Sequence, residues 1–268
     1  MASNEHVLDL ELNAHEQTSG ANGACLTRHV GQYQDKCSCS HRFQAYEHAM
    51  ADKTLYNGDA YASLVNNPKF AKYKRPEKKG AWDLEKSSTV YRTDKSGKTN
   101  KLTVENFRQW ATVPYWHNAH HVIPNSVLNG CLLDAAKNDM KIFILARKGL
   151  LDAKYNLNDK ENMIILPMRK FVADAMCLPR HISGKDSEPG VKPEFMNHKK
   201  YNDNVRKEVE KVISEFADQI SMEDHDVTLP AFTKAKLVKY SQKIYGELKV
   251  WGKKAKGMAL SSMPDSHF

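Results

Sequence analysis

The sequence predicts an α+β protein in which a small β core sits within a mainly helical chain. Two observations carry this. Apolar residues recur at helical spacing over long stretches, as in Val205, Val209, Val212, Ile213, Phe216 and Ile220, with Glu208, Glu210 and Lys211 mainly on the other face. The β-leaning runs are short instead, and two of them, Val113 to Pro124 and Met163 to Pro167, end in a proline that cannot continue a ladder. With 268 residues, 41% of them hydrophobic, the chain can bury a sizeable core in one or two domains.

Taken in order, the first forty or so residues are rich in Gly, Ser, Asn and His without periodicity, which suits a loosely ordered arm or docking segment. Short helices are expected from Arg42, through Phe43, Tyr46 and Met50 and again around Ala60 and Leu64, with breaks at Asn57-Gly58 and Asn67-Pro68. The basic stretch Lys72 to Gly80 reads as an exposed linker or loop. Ser88 to Arg92 and Lys101 to Val104 form a hairpin pattern around Asp94-Lys95-Ser96-Gly97.

Val113 to Pro124 reads as a strand ending in a loop, followed by a short helix that Asn125 can cap and that Leu128, Leu132 and Leu133 line. A further element, Lys141 to Ala146, is expected before Gly149, and Asn158-Asp159 opens a turn into a second strand, Met163 to Pro167. Several breakers between Pro179 and Pro193 mark an insertion-like loop. Near the end, Phe232, Leu237, Ile244, Tyr245, Leu248 and Trp251 alternate with lysines in a basic amphipathic helix. Its lysine face suits either plain solvation or the tracking of phosphates. The expected segments are 1–105 (arm, short helices and hairpin), 106–220 (site-bearing domain) and 221–268 (basic helical extension).

A formal net charge of +8 favours an anionic partner, nucleic acid first, through long-range fields and counterion release. The five cysteines, Cys25, Cys37, Cys39, Cys131 and Cys177, do not resemble a secreted disulfide framework, and a reducing compartment fits them better. Cys25, Cys37, Cys39 and His41 suggest a zinc knuckle, but the one-residue gap in Cys37-Ser38-Cys39 is too short for the usual pair, so free thiols near a loop are expected. The polar, acid-containing start does not read as a secretory signal, and no apolar run is long enough to span a bilayer.

Three patches carry chemistry: Ala119-His120-His121-Val122, Glu161-Asn162-Met163, and Asn197-His198-Lys199-Lys200-Tyr201. Phosphodiester hydrolysis needs a cation to stabilise charge on the phosphate oxygens and a neutral imidazole to deprotonate water, and these histidines can supply both functions. Adjacent side chains on a regular strand face opposite ways, so His120 and His121 converge on one substrate only where the backbone bends. His117, His225 and His267 read as surface or satisfied core histidines.

In their order, and in their placement on strand, strand and helix, these patches resemble the AHH branch of the HNH/endonuclease VII nucleases, over about Trp110 to Ile220. The resemblance implies a ββα-metal core. It implies His120 and His198 as ligands of one divalent metal ion (Mg²⁺ or Zn²⁺, with Ni²⁺ or Mn²⁺ as further options), His121 as general base, and Asn162 holding the base loop across the hairpin. Tyr201, one turn beyond His198, would bond phosphate or orient the ligand. Two residues compete for the remaining metal position, His181 within His181-Ile182-Ser183-Gly184 and Glu194, which lies four residues before His198.

The expected activity is a metal-dependent endonuclease cleaving DNA with little sequence preference. The resemblance adds an interbacterial toxin role, with an immunity protein as partner, cytoplasmic residence in the producing cell and delivery by a specialised secretion system. Two alternatives stay open: an RNase with the same site, and a non-catalytic zinc-stabilised nucleic-acid-binding module in which His120, His181, His198 and a cysteine close a structural site.

Overall fold

A mixed α/β architecture results, and the computed structural model describes it over residues 8–9, 14–19, 23–57, 78–182, 198–221 and 229–268. Helix α1 (His41–Ala51) starts where Ser40 accepts a hydrogen bond from the Phe43 amide. Strands β1 (Ser87–Thr93) and β2 (Thr99–Glu105) pair antiparallel. Their turn is held by Asp94, whose Oδ1 accepts from the Ser96 and Lys98 amides, and Gly97 takes the positive φ of 83° that the turn requires.

The second sheet pairs β3 (His117–His121) with β4 (Met163–Pro167), antiparallel, in the register His117↔Pro167 through His121↔Met163. All of β4 is buried, so its unbroken apolar run is a strand covered on both faces. Between the two strands lie α2 (Asn125–Ala135) and α3 (Met140–Asp152). Asp139 caps α3 by accepting from the Lys141 and Ile142 amides. The expected element before Gly149 is thus a helix that runs through that glycine. A Cβ there would stand 3.1 Å from Phe216 Cζ and 3.4 Å from Pro230 Cγ, so the missing side chain admits the crossing helices.

Asn125 does not cap α2, which begins without a side-chain cap. Its Oδ1 accepts from the Arg28 amide instead and ties the N-terminal arm to the helix. Short α4 (Lys170–Met176) follows β4, then α5 (Lys199–Ser221) and α6 (Leu229–Lys254). Helix α6 buries Leu237, Ser241, Ile244, Tyr245, Leu248 and Trp251.

One hydrophobic core draws on all three expected segments: Ala24, Leu26 and Tyr46 from the first, Ile123, Leu150 and Val209 from the second, Ile244 and Leu260 from the third. The arm is docked, with Cys25 bridging to Asn156 and with the carboxylate of Asp9 paired to Arg147, both side chains fully buried, at 2.8 and 2.7 Å. No helix among the described residues is long and apolar enough to cross a membrane. The expected helix near Ala60 and Leu64, most of the basic stretch 72–80, Glu194 and His225 lie outside the described residues.

Candidate functional site

Three histidines from three separate segments meet beside β3. His120 stands on the strand, opposite Ile164. His181 is brought there because its amide donates to the Pro167 carbonyl at the end of β4, while the neighbouring Arg180 bridges to Ala259. His198 immediately precedes α5. The ring centroids lie 5.0 Å (His120–His181), 4.8 Å (His120–His198) and 5.1 Å (His181–His198) apart, with interplanar angles of 71°, 87° and 86°. One nitrogen from each ring falls within 4.8 Å of the other two, and these residues could hold a metal ion.

Hydrogen bonding selects the nitrogens. His120 Nε2 and His181 Nδ1 are buried with no hydrogen-bond partner, a costly state for polar atoms unless a ligand satisfies them. His198 Nδ1 lies 2.7 Å from Asn202 Oδ1, so Nδ1–H donates to that oxygen and Nε2 is left with the lone pair that can bind a metal. Burial lowers all three pKa values, that of His181 to about 3, with the neighbouring rings as a second cause for His120 and His181. The imidazoles are therefore neutral near pH 7, the form that binds metal. Among the described residues no cysteine joins this group, so the closed structural site with a cysteine lacks its fourth ligand there.

His121 leaves the strand on the other side. The ladder is regular through its last pair, His121↔Met163, and the chain bends directly after it, at Val122 and Ile123. His121 Nε2 lies 3.0 Å from Asn158 Oδ1, and Asn158 Nδ2 donates to the Thr27 carbonyl at 3.0 Å, which fixes its oxygen as the acceptor. Nε2–H is then the donor and Nδ1 carries the lone pair. Burial holds this imidazole down at about 4. The ring of His41 lies 5.5 Å away, and its own Nε2 is buried without a partner.

Asn162 joins strand, turn and helix. Its Oδ1 accepts from the Ile123 amide at 2.7 Å and from Ser241 Oγ at 2.9 Å, and its Nδ2 donates to the carbonyls of Ile123 and Leu157. Tyr201 is buried against His120, and its hydroxyl donates to the Val122 carbonyl at 2.7 Å. The hydroxyl is thus committed to backbone in a buried position, away from any contact with solvent. His117 is a satisfied core histidine bonded to the Tyr115 carbonyl, and His267 pairs with Glu247.

Two functional candidates escape sequence reasoning. Asn158 looks like a turn residue, yet it is buried and orients His121. Arg28 keeps exposed surface, although desolvation lowers its pKa, and its charge acts on His41, His120, His121 and His181 alike. Arg42 is close enough to feel the same charge, and among the described residues neither arginine has a carboxylate partner. Arg28 lies in the arm and Arg42 in the first turn of α1, too far apart in sequence to read as one motif.

No protein-family model, curated protein or solved structure matches this chain.

Proposed function

We propose that this protein is a metal-dependent endonuclease of the ββα-metal type that hydrolyses nucleic-acid backbone, DNA first. The observation that carries the reading is the convergence of His120, His181 and His198, with two buried unpartnered nitrogens, at the strand whose next residue is a neutral histidine of fixed tautomer. His120 Nε2, His181 Nδ1 and His198 Nε2 would hold the ion. An all-imidazole set suits Zn²⁺ or Ni²⁺ better than Mg²⁺ or Mn²⁺, which prefer oxygen ligands. When bound, the ion supplies Lewis-acid stabilisation of charge on the phosphate oxygens.

The chain's own residues do the rest. The resemblance makes His121 the general base: Asn158 holds its ring through Nε2–H and leaves the Nδ1 lone pair to take the proton of a water lying at the end of β3, where the chain bends at Val122 and Ile123. Arg28 and Arg42 draw the phosphate in, since neither guanidinium has a carboxylate partner among the described residues and each charge acts on the other's neighbourhood. Contacts of this kind read backbone rather than bases, which suits little sequence preference. The toxin role rests on the resemblance of the histidine patches, and an acidic immunity protein would complement the charge of +8.

The test is incubation of purified protein with supercoiled plasmid and, in parallel, with structured RNA, each with and without chelator. Chelator-sensitive nicking of the plasmid is expected. Cleavage confined to RNA would move the substrate while keeping the site, and no chelator-sensitive cleavage of either would end the reading.

A further inference from the structure

A second group of metal-binding side chains lies in the N-terminal arm, formed by His15, Cys25, His29 and Cys39, and their four ligand atoms all fall within 4.8 Å of one another. The sequence disguises it, because the short Cys37-Ser38-Cys39 spacing argues against a knuckle and the histidines come from outside that pattern. Cys37 and His41, the residues that spacing drew in, are not part of the group. His41 is bonded to the Val30 carbonyl instead.

The distances are those of a coordination shell. Cys25 Sγ lies 3.5 Å from His29 Nδ1, and Cys39 Sγ lies 3.4 Å from His15 Nε2. A tetrahedral ion with Zn–S of about 2.3 Å and Zn–N of about 2.0–2.1 Å sets sulfur and nitrogen about 3.6 Å apart. The two imidazoles stand 5.1 Å apart at 73°, edge to face, which separates their lone pairs as two vertices require. Both sulfurs are buried, both cysteines are free thiols, and the histidines are half-buried.

The arm around them is built by single bridges, Glu16 to Ala24, Ser19 to Cys37, Cys25 to Asn156 and Val30 to Ser40. That is little regular structure for a segment carrying fully buried residues, and a metal crosslink is the usual remedy for such a shortage. Polar groups converge on the sulfurs as they do around zinc-bound thiolates, with Asn158 Nδ2 3.4 Å from Cys25 Sγ and Ser38 Oγ 3.9 Å from Cys39 Sγ.

We propose that His15, Cys25, His29 and Cys39 form a closed Cys₂His₂ structural zinc site that crosslinks the N-terminal arm on itself and so fixes the shape in which the Cys25–Asn156 bridge and the Asp9–Arg147 pair hold it on the core. Four protein ligands leave no open position, so the site is structural rather than catalytic. It is separate from the all-histidine group. Asn158 touches Cys25 Sγ with its nitrogen and His121 with its oxygen, so the site borders the proposed general base rather than the metal group.

Cobalt substitution of the untagged full-length protein tests this without reference to nuclease activity. Thiolate-bound tetrahedral Co²⁺ gives a sulfur-to-metal charge-transfer absorption in the near ultraviolet, which a site of histidines alone lacks. Wild-type protein, Cys37→Ser and His120→Ala should each show the band, with zinc displacing one equivalent of cobalt from it. Cys39→Ser should lose it, and His29→Ala should lose or shift it. No charge-transfer band in the wild type overturns the proposal, as does a band that survives Cys39→Ser or disappears in Cys37→Ser. Because His120→Ala disables the proposed catalytic metal group alone, failure of the nuclease reading and failure of the zinc site give different results.

Discussion

At the scale of single residues, the histidines divide by what their second nitrogen does. His198 and His121 each have one nitrogen committed to an asparagine, Asn202 and Asn158 respectively, and a ring fixed in this way offers its other nitrogen at one position. Asn202→Ala should therefore weaken metal binding at the all-histidine group by about 10–100-fold, measured by competition with a chromophoric chelator. Asn158→Ala should lower kcat by a similar factor of about 10–100 with KM little changed, whereas a merely structural loss would appear in thermal stability without that split. The imidazoles were legible in the sequence because few side chains combine that chemistry with such close placement. Asn158 was not, because its main anchor, the Thr27 carbonyl, lies 131 positions away in the chain.

At the scale of elements, the hairpin, the strand Met163–Pro167 and the long helices stand close to where periodicity put them, since period-2 and period-3.6 patterns are local properties. The strand expected over Val113 to Pro124 is instead confined to His117–His121. What locality hides is the use of a polar residue by a distant partner. Asn125 sits where a helix cap belongs and instead holds the Arg28 backbone, and Tyr201 spends its hydroxyl on Val122. Close helix crossings are hidden for the same reason. Gly252 on α6 packs so tightly that a Cβ would stand 2.5 Å from the Cys177 carbonyl oxygen and 2.8 Å from Leu178 Cα, both backbone atoms with little room to yield. Gly252→Ala should destabilise the fold by about 1–3 kcal/mol, read as a lower denaturation midpoint. Asn162→Ala, which strips four buried hydrogen bonds joining β3, the turn and α6, should cost at least about 1–3 kcal/mol in the same assay.

At the scale of the whole molecule, the arm that reads from sequence as loosely ordered is tied into the core by Asp9 and Arg147. Asp9→Ala would leave a buried guanidinium without its carboxylate and should cost about 3–5 kcal/mol, measured by denaturant unfolding. Composition could not announce this, because a single long-range ion pair does not alter the polarity of a segment. The same docking brings Arg28 and Arg42 to the histidines, and with them the charge that the proposed chemistry needs. The most direct measurement is plasmid nicking by His121→Ala beside wild type, in divalent metal, with metal content and thermal stability followed on both proteins. The account predicts a fall of about 10²–10⁴-fold in rate with metal content and folding retained. Equal nicking by the two proteins would contradict it.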